Sequence, residues 1–196
     1  MSSIILTSLL KKEYDYSQAG AYFVTICTRN RECMFGHIDD SEMQLNDAGR
    51  MVQSVWDELP TRFPGLGLDA FVVMPNHVHW IAILVGAGLA LSDNEGVCRG
   101  ESCIRPSGSG DHKDRSYETT VGSMGQIIQV FKSMVTHEYV MGIRQQKWTS
   151  FQRQLWQRNY YAHVIRDEDE MNRIRRYILD NPACWAEDEN NPNRMK

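Results

Sequence analysis

No apolar run in this sequence is long enough to cross a bilayer. A spanning helix needs about 18 uninterrupted apolar residues, and the run after His79 stops within a strand's length. An export signal is missing too: Ile4-Ile5-Leu6 and Leu9-Leu10 are apolar, but the lysines follow them and no small-residue cleavage site is evident. The expectation is a cytoplasmic protein with no membrane partner. Cys27, Cys33, Cys98, Cys103 and Cys184 form an odd set without a C-x-x-C spacing, which argues against a disulfide framework or a zinc knuckle and leaves reduced, structural thiols.

Overall basic charge is the remaining absence. The net charge of -4 weighs against a general nucleic-acid binder, because neutralising phosphates normally takes a basic face. The charges are unevenly spread, however. Asp167 to Glu170 and Glu187 to Glu189 concentrate acid, whereas Arg144 to Lys147, Arg153, Arg158, Arg166 and Arg173 to Arg176 concentrate base in the same C-terminal third. A local basic groove is compatible with that distribution.

What is present is an ordinary globular composition, 42% hydrophobic and 23% charged in 196 residues, read as one domain over 1–196 with a decorated loop. Ala21 to Thr28 is rich in β-branched and aromatic residues and reads as a strand turning at Arg29-Asn30-Arg31. Asn46 to Gly49 opens a helix carrying Met51, Val52, Val55, Trp56 and Leu59, with Pro60 expected to end it. Leu68 to Met74 and His77 to Val85, joined by Pro75-Asn76, predict a hairpin of strands apolar on both faces, hence a covered sheet. Residues 86–120 are rich in Gly, Ser and charge without a sustained period, which predicts a flexible loop. Gln126 to Tyr139 predicts a helix and Tyr160 to Ile165 a strand. A last helix is capped by Asp167 with Glu170 three residues on, and ends before Pro182. The order β-α-β-β-α-β plus a terminal helix is an α+β, ferredoxin-like split pattern.

Strand alternation puts His77 and His79 on one face and Val78 on the other. Two imidazoles side by side suit a metal, although taken alone such a pair in a strand is more often structural. Tyr177 and Asn181 are one helical turn apart and share a face, so they are either an active phenol with an amide ligand or a half-buried tyrosine with a polar helix end.

Four separated motifs bear on that choice through a resemblance: Tyr22-Phe23-Val24-Thr25, Met74-Pro75-Asn76-His77-Val78-His79-Trp80, Trp156-Gln157-Arg158-Asn159-Tyr160-Tyr161-Ala162-His163-Val164-Ile165-Arg166, and Tyr177-Ile178-Leu179-Asp180-Asn181-Pro182. In this order they resemble the single-tyrosine HUH transposases, and within them the REP-associated tyrosine transposases. The resemblance spans about Tyr14 to Trp185. It implies a ferredoxin-like sheet with a C-terminal catalytic helix, His77, His79 and Asn181 as ligands of Mg2+ or Mn2+, and Tyr177 as nucleophile on single-stranded or hairpin DNA. The implied product is a 5'-phosphotyrosine with a free 3'-hydroxyl. Both monomers and homodimers sharing the tyrosine helix fit such a protein.

Tyr160 and Tyr161 are rival nucleophiles, although neither has an amide partner at helical spacing, and His163 beside them is a structural or supporting group. Lys132, Arg158, Arg173 and Arg176 are candidate DNA contacts, together with Arg166 next to the acidic helix start. Trp80 and Trp156 are either base-stacking platforms or core. A non-catalytic hairpin DNA- or RNA-binding module with the same sheet is the alternative reading.

Overall fold

The computed structural model describes residues 18–85 and 122–194. The expected 86–120 loop and the Ile4 to Leu10 stretch lie outside the described residues. Among the described residues, six strands and three α-helices follow in chain order: β1 (Gly20–Cys27), β2 (Gly36–Asp39), β3 (Glu42–Leu45), α1 (Asp47–Arg62), β4 (Leu66–Val73), β5 (His77–Leu84), α2 (Met124–Gln146), β6 (Tyr161–Ile165) and α3 (Glu168–Asp180). Four strands form one antiparallel sheet in the order β4-β5-β1-β6. This is the ferredoxin-like arrangement, with β5 and β1 central.

Alternation along the central strands divides the interior in two. Tyr22, Val24 and Ile26 of β1 and Val78, Trp80 and Ala82 of β5 face α1 and α2, where Trp56 stacks on Trp80 at 4.9 Å and Phe131 meets Trp80 edge-on at 4.8 Å. Phe23 and Ile81 point the other way, to Met171, Ile174 and Ile178 of α3. Burying one such side chain stabilises by about 1.5–3 kcal/mol, so the apolar stripe of α3 is enough to seat that helix on the sheet. The histidine face therefore lies between sheet and α3.

Several elements depart from the sequence expectation. β2 and β3 form a separate hairpin that was not expected, because its two turn residues, Asp40 and Ser41, take positive φ (45° and 66°) without a glycine to signal it. α1 runs through Pro60 to Arg62. A proline in the last turn removes one hydrogen bond, while fully buried Leu59 and Phe63 hold that turn in the core. α2 continues beyond Tyr139 to Gln146, and Gly142 explains its packing: a Cβ there would meet the Trp148 ring at 2.2 Å.

The start of α3 follows the expected cap. Asp167 accepts from the Glu170 N–H at 2.8 Å, and Glu170 in turn accepts from the Arg166 N–H and pairs with His163 at 2.9 Å. Burial raises the Glu170 pKa, but these hydrogen bonds outweigh it and hold the carboxyl below its ordinary value. Further along α3, Arg175 grips Asp69 of β4 through two bonds, Nε to Oδ1 and Nη2 to Oδ2, each 2.8 Å. Asp69 sits where the β4–β5 register shifts between Leu68 and Phe71.

Candidate metal and nucleophile site

β5 begins at His77, and the chain reaches it through a tightly held turn. Pro75 O accepts from the Met34 and Phe35 N–H groups, and Asn76 O accepts from the Thr28 N–H. His77 and His79 are fully buried, with their Nε2 atoms 3.0 Å apart. On their far sides, His77 Nδ1 lies 2.8 Å from Asn76 Oδ1, and His79 Nδ1 lies 2.8 Å from Thr25 Oγ1, directly across the β1–β5 ladder. Both Nε2 atoms thus face a common space.

Burial disfavours the charged imidazole. It brings the His77 pKa down to about 3, with the Arg31 guanidinium adding to the effect and the Asn181 amide opposing it. Burial likewise holds His79 well below its ordinary value, helped by His77 and opposed by Asp188. Two neutral rings near neutral pH leave lone pairs available for a cation.

α3 supplies the rest. The Tyr177 ring stands edge-on to His79, centroids 5.3 Å apart, and edge-on to Phe23 at 5.9 Å, while Phe23 stacks on His79 at 5.5 Å. Burial pushes the Tyr177 phenol above its ordinary range, the Asp188 charge adds to this, and the Asn181 side chain opposes it. Asn181 is 2% exposed. Its amide lies close enough to His77 and Tyr177 to bias their protonation, yet no donor among the described residues meets its Oδ1 in hydrogen-bonding geometry. An unsatisfied buried acceptor costs about 1–3 kcal/mol, and a cation would satisfy it.

The segment after α3 brings a group that sequence reasoning missed. Asp188, in sequence only one of the acids of Glu187 to Glu189, has a carboxylate that clusters with His77 and His79, their ligand atoms all within 4.8 Å of one another. Trp185 lies over His77 at 6.0 Å, Asn190 O accepts from Asn76 Nδ2, and Glu189 O accepts from Arg31. Residues 185–190 thereby cover the site. Two imidazoles, an orphaned amide oxygen and a carboxylate make a mixed nitrogen and oxygen donor set that fits a divalent cation.

Of the rival tyrosines, Tyr160 packs with the α1/α2 core beneath Lys132, whose Nζ lies 5.6 Å from its ring, so it is on the wrong side of the sheet. Tyr161 is on the histidine face, edge-on to Phe23 at 6.0 Å. His163 serves the α3 cap. Among the candidate DNA contacts, Lys132 donates to Gln157 O at 2.8 Å and Arg158 O at 3.3 Å, which ties down the segment before β6, and burial brings its pKa to about 8. Arg158, Arg166, Arg173 and Arg176 are exposed, the last two on α3 with Arg173 one turn before Tyr177. Trp80 and Trp156 are core residues, 0% and 5% exposed, and are not stacking platforms.

No family model matches the chain. An uncharacterized protein of Haemophilus influenzae is 36% identical over 185 residues, which covers 93% of this chain and 91% of the relative. The chain belongs to that protein's family. Among solved structures, the REP-associated tyrosine transposase bound to a REP hairpin is similar, with a TM-score of 0.54 at 17% identity, covering 89% of this chain and 73% of that one. The chain shares that transposase's fold. A putative transposase from Deinococcus radiodurans gives a TM-score of 0.44 at 15% identity, covering 87% of this chain and 97% of that one. Among the described residues of this family member, no helix is long and apolar enough to cross a membrane.

Proposed function

We propose that the protein nicks and rejoins single-stranded DNA, at a palindromic or hairpin sequence, through a covalent bond to Tyr177. One observation carries this reading: the two Nε2 atoms of His77 and His79 and the unsatisfied Oδ1 of Asn181 belong to one buried cluster beside the Tyr177 ring. The likeness in fold to a transposase bound to a REP hairpin supports the same substrate class.

His77, His79 and Asn181 would hold the cation, with Asp188 as a further oxygen donor. A bound Mg2+ or Mn2+ supplies a Lewis acid that polarises the phosphate and offsets its charge. Tyr177 Oη attacks phosphorus, the P–O3' bond breaks, and the phenolic proton ends on the departing O3'. The products are a 5'-phosphotyrosine and a free 3'-hydroxyl, and the reverse attack by a 3'-hydroxyl rejoins DNA without an external energy source. Phe23 and the stripe of α3 hold the phenol beside His79. Residues 185–190 must move aside for a phosphate to enter. Arg173 and Arg176 on the exposed side of α3 suit the adjoining backbone.

The test is incubation with labelled hairpin-flanked single-stranded DNA and Mn2+, scored for a denaturation-resistant adduct that is lost with EDTA and with His77→Ala. The second reading, hairpin binding without chemistry, is favoured by one feature, the complete burial of both histidines. It predicts retention of hairpin DNA in a mobility-shift assay with no adduct under any metal condition.

A further inference from the structure

Arg31 stands beside the histidine site, and no step proposed above uses it. It and Asn30 both take left-handed backbone, with φ of 57° and 56°, a conformation disfavoured for any residue that has a Cβ. Strain of that kind gathers at functional sites and persists only where the surroundings enforce it. Here they do. The Arg31 N–H donates to Thr28 O at 3.2 Å, Arg31 O accepts from Asn76 Nδ2 at 2.8 Å, and Thr28 Oγ1 reaches Glu32 O at 2.8 Å and Asn76 O at 3.0 Å. The turn after β1 is thereby fastened to the residue that precedes the first histidine of β5.

The side chain is exposed, yet its guanidinium lies close enough to buried His77 and to Cys27 for its charge to act on both. That charge is not neutralised. Arg31 Nη1 donates to the backbone carbonyl of Glu189, and among the described residues no carboxylate pairs with it, whereas Arg175 is held by Asp69 through two bonds. A carbonyl oxygen carries only a partial charge, and a hydrogen bond to an ionised phosphate is roughly twice as strong. The guanidinium fork also matches two phosphate oxygens at once. A phosphate that reaches the site therefore displaces Glu189 O from Arg31.

We infer that Arg31 is a phosphate-binding residue of the site, gripping a backbone phosphate of the DNA strand next to His77, and that Glu189 O holds the same guanidinium until the strand arrives. The inference rests on the DNA reading proposed above, and on neither the cation nor the covalent step. Arg173 and Arg176 reach the strand from α3, so Arg31 grips it from the opposite rim, formed by the turn after β1.

The test is fluorescence anisotropy of labelled, hairpin-flanked single-stranded DNA with full-length protein and Mn2+, in a Tyr177→Phe background so that no bond is broken. Arg31→Gln removes the charge but keeps an amide donor for Glu189 O, and melting temperature reports whether it is folded. Its Kd should rise by about 10-fold or more, and its plot of log Kd against log salt should be shallower by about 0.7. Arg31→Lys keeps the charge and should restore the slope. Single methylphosphonate linkages, which lack the charged oxygen, locate the phosphate: one linkage should weaken binding by the Arg31 protein and have no further effect on Arg31→Gln. Folded Arg31→Gln that binds as tightly as the Arg31 protein, or more tightly, would make Arg31 a latch for residues 185–190 and overturn the phosphate role. Methylphosphonate losses equal in both proteins at every linkage would overturn it too. An Arg31 protein that binds no such DNA would overturn the DNA reading and this inference together, whereas wild-type protein that binds but forms no adduct would overturn the chemistry alone.

Discussion

The phenol ring of Tyr177 on α3 stands edge-on to the imidazole of His79 on β5, their centroids 5.3 Å apart. α3 reaches that position because its stripe of Met171, Ile174 and Ile178 packs on Phe23 and Ile81, and because Arg175 ties it to β4. The relationship links fold to chemistry, and four expectations follow.

Tyr177→Phe should abolish the DNA adduct, a loss on the order of 10^3-fold or more for removal of a nucleophile, with melting temperature nearly unchanged because the ring and its contacts remain. Tyr161→Phe, on the same face, should leave adduct formation within a few-fold of wild type. A gel of the two variants side by side decides: an adduct that persists in the first and vanishes in the second transfers the role to Tyr161.

Asn181→Ala removes a buried oxygen that meets no donor in hydrogen-bonding geometry among the described residues, so the metal-free protein should lose little stability. The effect should emerge with metal. An ion that binds only the folded chain stabilises it by about 2.7 kcal/mol at a concentration of 100 times Kd, and Mn2+ should raise the melting temperature of wild type more than that of the variant. Equal Mn2+ shifts in both proteins would remove Asn181 from the ligand set.

Phe23 is 1% exposed and touches His79, Tyr161 and Tyr177. Phe23→Ala should cost about 3–5 kcal/mol by leaving a cavity, measured by urea unfolding, and should slow adduct formation even under conditions where the variant is fully folded. Adduct formation at the wild-type rate in folded Phe23→Ala would show that Tyr177 is placed without it.

Hydrogen bonding from Arg175 holds the Asp69 carboxyl below its ordinary value of 3.8; burial opposes this and the Ala70 N–H assists. A lowered folded-state pKa means the pair stabilises fully above the unfolded value and loses that contribution as pH falls through the folded one. Arg175→Met should therefore melt lower than wild type near neutral pH, and the gap should close below about pH 3.8. A gap that stays constant from neutral to acid pH would assign the loss to packing.

Much of this arrangement is legible in local sequence. Period-two alternation places His77 and His79 on one face of β5, a spacing of four pairs Tyr177 with Asn181, and the Asp167 cap and Pro182 bound α3. Each of these follows from backbone geometry within a few residues. The β2–β3 hairpin was hidden because its turn uses Asp40 and Ser41 where glycine or asparagine would have signalled it. Asp188 was hidden because a carboxylate in an acidic run carries no mark of what it faces.

The tertiary structure alone decided which side of the sheet α3 covers, that Tyr160 faces away while Tyr161 faces the histidines, and that Lys132 braces backbone carbonyls. It also decided that Asn76 meets Asn190 across 114 positions and Thr25 meets His79 across 54. Periodicity reports the direction of a side chain relative to its own strand or helix. Contacts between distant segments arise only when buried faces find one another, and at that point a buried histidine meets groups that its sequence neighbours do not specify.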